Sequence, residues 1–207
     1  MTKQPIKVWD PLLRVFHWSL VSLFLFSYLT EDDFLDLHVF SGYLIVGLIL
    51  FRLVWGVIGP RHARFSDFVK SPAEVKSYLK DVLLFRAKRY LGHNPAGGAM
   101  VVALLVSITM ALITGMLTYG ATEFAGPFAG LVSGVGNNIA EGFEELHEFF
   151  ANFTVLLVVL HVVGVVVASL QHGENLVRSM INGYKEAETS ASGVHDDHPE
   201  QHNKVTQ

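Results

Sequence analysis

Four stretches of this chain stay apolar long enough to cross a bilayer, whose hydrocarbon core takes about 20 helical residues at about 1.5 Å of rise each. They run from Leu12 to Leu29, Leu37 to Ile58, Gly98 to Tyr119 and Phe149 to Leu170. The first is interrupted by Arg14 and His17, the second by Arg52, the third by no charge, and the fourth by His161. Lipid offers no hydrogen bonds, so each stretch must satisfy its backbone internally and reads as an α-helix. The first is expected to be a retained span, the leader reading being weak because the stretch ends in Tyr28-Leu29-Thr30-Glu31-Asp32-Asp33 where a leader carries small residues. A different pattern lies between the second and third spans. Ser71-Pro72-Ala73-Glu74 reads as a Ser N-cap, a Pro at the first helical position and a Glu that closes a capping box. Val75, Tyr78, Leu79, Val82 and Leu83 follow at helical spacing. Lys76, Lys80 and Lys88 beside them predict a helix lying in the membrane interface, with a solvated linker helix as the alternative. The Gly-rich segment from Gly120 to Gly142 is expected to pack across one mouth of the bundle, and residues 186–207 are polar enough to predict a disordered tail.

Charge orients the spans, since loops rich in Lys and Arg stay cytoplasmic. Lys3, Lys7 and Arg14 begin the chain; Arg61, Arg64, Lys70, Lys76, Lys80, Arg86, Lys88 and Arg89 fall between spans two and three; Arg178 and Lys185 follow span four. The other two connections hold acids: Glu31, Asp32, Asp33 and Asp36 in one, Glu123, Glu141, Glu144 and Glu145 in the other. The expectation is an all-α membrane protein, an antiparallel four-helix transmembrane bundle with both termini and the interfacial helix cytoplasmic. Residues 1–185 form the bundle domain and 186–207 the tail.

Composition agrees. Of 207 residues, 51% are hydrophobic and 16% charged, and the mean hydropathy is +0.39, which excludes a wholly disordered chain. A formal charge of −4 without a uniformly basic surface gives no support for nucleic-acid binding, and none is expected. The chain has no cysteine, which removes disulfides, thiolate zinc sites, iron–sulfur clusters, a thiolate nucleophile and covalent c-type haem attachment. The spans also hold no nucleophile beside a base, which counts against hydrolytic catalysis.

Ten histidines remain as metal ligands. An ionisable residue at membrane depth is costly and therefore a candidate functional site, although a hydrogen-bonded structural histidine is the plainer reading. His17 sits near the cytoplasmic start of span one, His38 at the outer start of span two, His147 at the outer start of span four and His161 fourteen residues further along that helix. Fourteen residues give about 21 Å of rise and fall about 40° short of four turns, so both rings share one face at two depths. Depth pairs His38 with His147 on the outer side and His17 with His161 on the inner side. Zinc, copper or non-haem iron sites usually gather three or four ligands, and each level here offers two. Two opposed imidazoles are what a bis-His b haem requires, with Gly42, Gly47 and Gly164 permitting close approach of a flat macrocycle. Spacing leaves two haems and buried structural histidines both open.

Arg52, fourteen residues after His38, reaches the inner level, where it fits either a haem propionate partner or an arginine snorkelling to the interface. His62 and His93 read as surface loop histidines, with a propionate or quinone contact as the alternative. His172 reads as interfacial, and His195, His198 and His202 as a solvated tail cluster. Met100, Met110 and Met116 read as packing residues of span three.

The motifs together resemble a known family. Trp9-Asp10-Pro11 with Arg14 and Phe16-His17-Trp18, Leu37-His38-Val39 with Gly42-Tyr43, Arg52 with Trp55-Gly56, Gly59-Pro60-Arg61-His62-Ala63, Gly92-His93-Asn94-Pro95-Ala96-Gly97-Gly98 and Glu145-Leu146-His147-Glu148 with His161 are similar to the bacterial cytochrome b561 family. That family is grouped with the b-type cytochrome subunits of nickel–iron hydrogenases, and the likeness runs from about residue 7 to residue 185. It implies a multi-pass inner-membrane cytochrome with two b haems ligated by His17, His38, His147 and His161. It implies electron transfer between membrane quinone and a periplasmic partner, which is a c-type cytochrome, a hydrogenase or another dehydrogenase. The alternative it carries is a superoxide:quinone oxidoreductase that acts without a protein partner. It supplies no quinone-site residues. With both axial positions filled, such a haem passes electrons at its edge and offers no open iron site to oxygen or substrate.

Overall fold

The computed structural model describes residues 2–31 and 34–189. Asp32 and Asp33 of the acidic connection, and His195, His198 and His202 with the rest of the tail from residue 190, lie outside the described residues.

In chain order the elements are β1 (Thr2–Lys7), α1 (Pro11–Leu29), α2 (Leu35–Ile58), a 3-10 turn (Arg61–Ala63), α3 (Phe65–Phe68), α4 (Pro72–Leu83), α5 (Pro95–Thr122), α6 (Ala129–Val132), α7 (Asn137–His172), α8 (Leu176–Asn182) and β2 (Tyr184–Thr189). α1, α2, α5 and α7 are each long and apolar enough to cross a membrane. Their outward surfaces match that role: Leu29, Val57 and Leu170 are 73%, 70% and 78% exposed. Val158, Val159, Leu160, Val162 and Val163 leave α7 apolar around its circumference, as expected of a helix facing hydrocarbon.

The helix starts are chemically specified. The Asp10 carboxylate accepts from Leu13 N (3.0 Å) and so caps α1 ahead of Pro11. The Asn94 side chain accepts from Gly97 N (2.7 Å) ahead of Pro95 on α5. Ser71 and Glu74 form the expected capping box on α4, whose only buried residue is Tyr78.

The four spans form two hairpins. α1 packs along α2 and α5 along α7, while α7 makes hardly any close backbone approach to either helix of the first hairpin. Small residues allow the α5/α7 approach: Ser107, Ala111, Ala151 and Thr154 are buried, and the Ser107 and Thr154 hydroxyls bond each other at 2.7 Å. Ile45 and Ile49 of α2 meet Ile108 of α5 in an apolar cluster that bridges the hairpins.

α7 begins at Asn137, twelve residues before the apolar stretch that marks it in the sequence. Its 36 residues extend about 54 Å, far beyond a hydrocarbon core of about 30 Å. The acidic residues Glu141, Glu144, Glu145 and Glu148 therefore belong to the helix and not to a connecting loop.

The tail begins later than expected. Residues 184–189 pair antiparallel with β1, Lys7 opposite Tyr184 and Thr2 opposite Thr189, so the opening residues of the supposed tail find backbone partners in the other terminus. Composition misjudged them because strand pairing depends on what lies opposite, not on hydropathy. Gly183 hinges this ribbon at φ +90°, and its carbonyl accepts from Val8 N (2.9 Å) and Trp9 N (3.1 Å). A Cβ at that position would stand 2.7 Å from Trp9 O. Gly183→Ala is accordingly expected to cost about 1–3 kcal/mol of stability, read as a lower thermal unfolding midpoint of the detergent-solubilised protein. An unchanged midpoint would show that the terminal ribbon adds nothing.

Candidate functional site

The four intramembrane histidines meet in two couples, each joining the first hairpin to α7. At the end bearing the acidic connections, the rings of His38 (α2) and His147 (α7) have centroids 5.8 Å apart. At the basic end, the rings of His17 (α1) and His161 (α7) are 6.5 Å apart. An imidazole nitrogen binds a transition metal at about 2 Å, which places the centroids of two rings sharing one metal about 6 Å apart. Both couples lie near that spacing, in a region where the helix backbones scarcely touch.

The acidic-end couple has a fixed tautomer. His38 Nδ1 lies 2.9 Å from Ser27 O, and His147 Nδ1 lies 2.8 Å from Ala111 O. A carbonyl only accepts, so each Nδ1 carries the proton and each Nε2 is left as a lone-pair donor. A lone-pair Nε2 on each of two rings with centroids 5.8 Å apart suits an electron-pair acceptor shared between the rings, and bis-imidazole coordination supplies one. Ser27 Oγ adds a contact to His38 Nδ1 at 3.3 Å. Gly115 on α5 admits the His147 ring, since a Cβ there would stand 2.8 Å from Cε1 and 2.9 Å from Nδ1.

The basic-end couple is bare by comparison. His17 Nδ1 is buried without a hydrogen-bond partner among the described residues. Gly42, one turn beyond His38, and Gly164, three residues beyond His161, each face open space in which an added Cβ would meet nothing within 4 Å. Gly47 does the same. The donor set, the ring spacing and this clearance all fit a flat macrocycle with two axial imidazoles.

Arg52 is 2% exposed and does not snorkel. Its guanidinium donates to Ala63 O (3.1 Å) and lies 4.7 Å from the Phe65 ring centroid and 5.7 Å from that of Phe68. Among the described residues it forms no ion pair within 4 Å, leaving a buried cation within electrostatic reach of Asp10 and His93.

His93 corrects the sequence reading of a surface loop histidine. Its ring packs against Trp9 (4.7 Å) and Phe68 (4.6 Å), and Nδ1 is buried without a partner among the described residues. The Gly-His-Asn-Pro segment that caps α5 turns this side chain inward, a consequence of tertiary packing that loop polarity does not reveal. Burial, then Arg52 and Lys185, then the imidazoles of His161 and His62, push the His93 pKa down to about 3. His62 remains half-buried at the surface, its Nδ1 bonded to Asp67 (3.0 Å). Burial raises the Asp67 pKa, but bonds from His62 and Arg61 outweigh it and hold the carboxyl below its usual range.

A latch of buried charge closes this end. Arg89 bonds Glu174 and the Glu186 carbonyl. Lys185, 8% exposed, reaches Glu174 (3.8 Å) and donates to Tyr90 O (3.3 Å). Arg14 bonds the Ile181 carbonyl, and Trp18 Nε1 donates to Met180 O (3.3 Å), tying α1 to the end of α8.

Sequence reasoning brought the four histidines together and missed the groups that orient them. Ser27 O and Ala111 O are backbone atoms without a sequence signature. Gly115 had one, as the last of three small residues at four-residue spacing with Ser107 and Ala111.

The chain matches the family model described as prokaryotic cytochrome b561 over residues 8–183. No curated protein and no solved structure matches it.

His93 gives a pH test. The folded state holds the ring neutral down to about pH 3, whereas the unfolded chain takes up a proton near pH 6.5. The unfolded state binds more protons between those values, so this group costs stability progressively as pH falls through that window. His93→Phe is expected to flatten the decline of the unfolding midpoint between about pH 7 and 5 relative to the unmodified protein. Parallel declines in the two proteins would show that His93 is not held neutral.

Proposed function

The chain belongs to the prokaryotic cytochrome b561 family, as a multi-pass bacterial membrane b-type cytochrome of electron transfer, and from that premise we propose that it holds two b haems and carries electrons between the quinone pool and a periplasmic redox partner. The observation that carries this reading is the pair of cross-hairpin histidine couples, at 5.8 and 6.5 Å between ring centroids. His38 and His147 hold one haem and His17 and His161 the other. A haem so ligated supplies one-electron ferric/ferrous chemistry at a saturated iron.

The protein's own groups do the rest. Ser27 O and Ala111 O fix the ring orientation of His38 and His147. The apolar faces of α1, α2 and α7 exclude water. The buried Arg52 guanidinium would counter the charge of a propionate of the basic-end haem. The couples stand about 21 Å apart along α7, a separation that spans most of the hydrocarbon core and lets electrons cross between its faces.

The Lys- and Arg-rich loops support a cytoplasmic side for the Arg52 end, both termini and α4, in keeping with a bacterial inner-membrane protein. The outward extension of α7 bears Glu141, Glu144, Glu145 and Glu148, a negative surface suited to steering a basic periplasmic cytochrome, with hydrogenase or dehydrogenase subunits as the other partners of this class.

Pyridine haemochrome analysis of the purified chain is expected to return two b haems per polypeptide; one or none refutes the double pairing. His38→Ala and His147→Ala should each remove the same single haem and leave the other, and His17→Ala and His161→Ala the reverse. Arg52→Gln is expected to weaken retention of the basic-end haem while sparing the acidic-end one, measured by haem stoichiometry through size-exclusion chromatography.

A further inference from the structure

The two couples are alike in ring spacing and unlike in their surroundings. At the acidic end both imidazoles donate Nδ1–H to a carbonyl, at 2.9 and 2.8 Å. At the basic end neither His17 nor His161 bonds a protein group among the described residues, and His17 Nδ1 is buried unpartnered. A carbonyl drawing on the Nδ1 proton raises the basicity of Nε2. A more basic axial ligand favours the ferric state over the ferrous, and so lowers the midpoint potential.

Nearby charge acts in the same sense. Glu31 and Glu144 lie within electrostatic reach of His147. At the basic end, His93 is within reach of His161 and equally of Arg52 and Lys185, two cations almost wholly removed from solvent. Three acids also stand there, each set against cations: Asp10 within electrostatic reach of Arg52, Asp67 paired with Arg61 and His62, and Glu174 with Arg89 and Lys185. Carboxylates favour the more positive ferric centre and cations the ferrous one.

Resting on the di-haem reading above, we propose that the two sites have unequal midpoint potentials, the His38/His147 site being the lower, and that Gly115 is the positioning residue that sets this order. Gly115 lies one turn beyond Ala111 on α5, and its bare Cα lets the His147 ring lie against the helix at bonding distance from Ala111 O. Any side chain at 115 occupies the space of Cε1 and Nδ1, lifting the ring from its acceptor. At equilibrium a single electron shared by the two sites resides on the His17/His161 one.

The test is an optical redox titration of the full-length protein in detergent, followed at the haem α-band. The unmodified protein should titrate as two components. His38→Ala, which retains only the basic-end haem, should keep the higher-midpoint component. Gly115→Ala should raise the lower component and leave the higher unmoved. The double variant Glu31→Gln/Glu144→Gln, at two exposed side chains, should raise the same component without touching the ring, and it decides the matter if Gly115→Ala sheds its haem. Survival of the lower component in His38→Ala, or a lower component unmoved in every haem-retaining variant, overturns the proposal. Fewer than two haems in the unmodified protein overturns it together with the reading it rests on, whereas two haems in the reverse order overturn it alone.

Discussion

Helices in lipid gain little by burying one apolar face against another, because the tails they displace are as apolar as the neighbour they meet. Cohesion between the two hairpins must therefore come from elsewhere. Within each hairpin it comes from close approach, as where Ser107, Ala111 and Gly115 admit α7 and its His147 ring. Between hairpins the described contacts are few: the isoleucine cluster of α2 and α5, the Tyr28–Asn152 hydrogen bond (2.8 Å), and the two histidine couples. The two histidine couples thus cross a slot where the helix backbones of the two halves scarcely meet.

The basic end compensates with a dense polar lattice. Asp10 serves as N-cap to α1 and as acceptor for the Trp55 indole (3.3 Å). Arg14, Trp18 and Gly183 gather the end of α8, and Arg89, Glu174 and Lys185 bind the second strand to the loop before α5. These bonds concentrate outside the hydrocarbon, where a charged side chain is less costly to hold. The acidic end has no comparable lattice among the described residues, and there the backbone carbonyls of α1 and α5 turn inward to hold imidazoles.

The spans, the capping box and the depth pairing of the histidines were legible because each depends on local periodicity and on a rise per residue that a helix cannot evade. What was hidden depends on residues distant in the chain. The burial of His93 requires Trp9 and Phe68 to close over it; β2 requires β1; the tautomer of His147 requires a carbonyl 36 positions away. The polar first turns of α7 were hidden for another reason, since a search for apolar runs stops at Glu148 although the helix does not.

The pairing of Thr2–Lys7 with Tyr184–Thr189 also imposes an order on assembly. Of these two strands, the one made earlier finds its partner only after all four spans have been made. Trp9 N and Val8 N wait on the carbonyl of Gly183 throughout synthesis, so closure of the ribbon marks a chain in which all four crossings are already behind it.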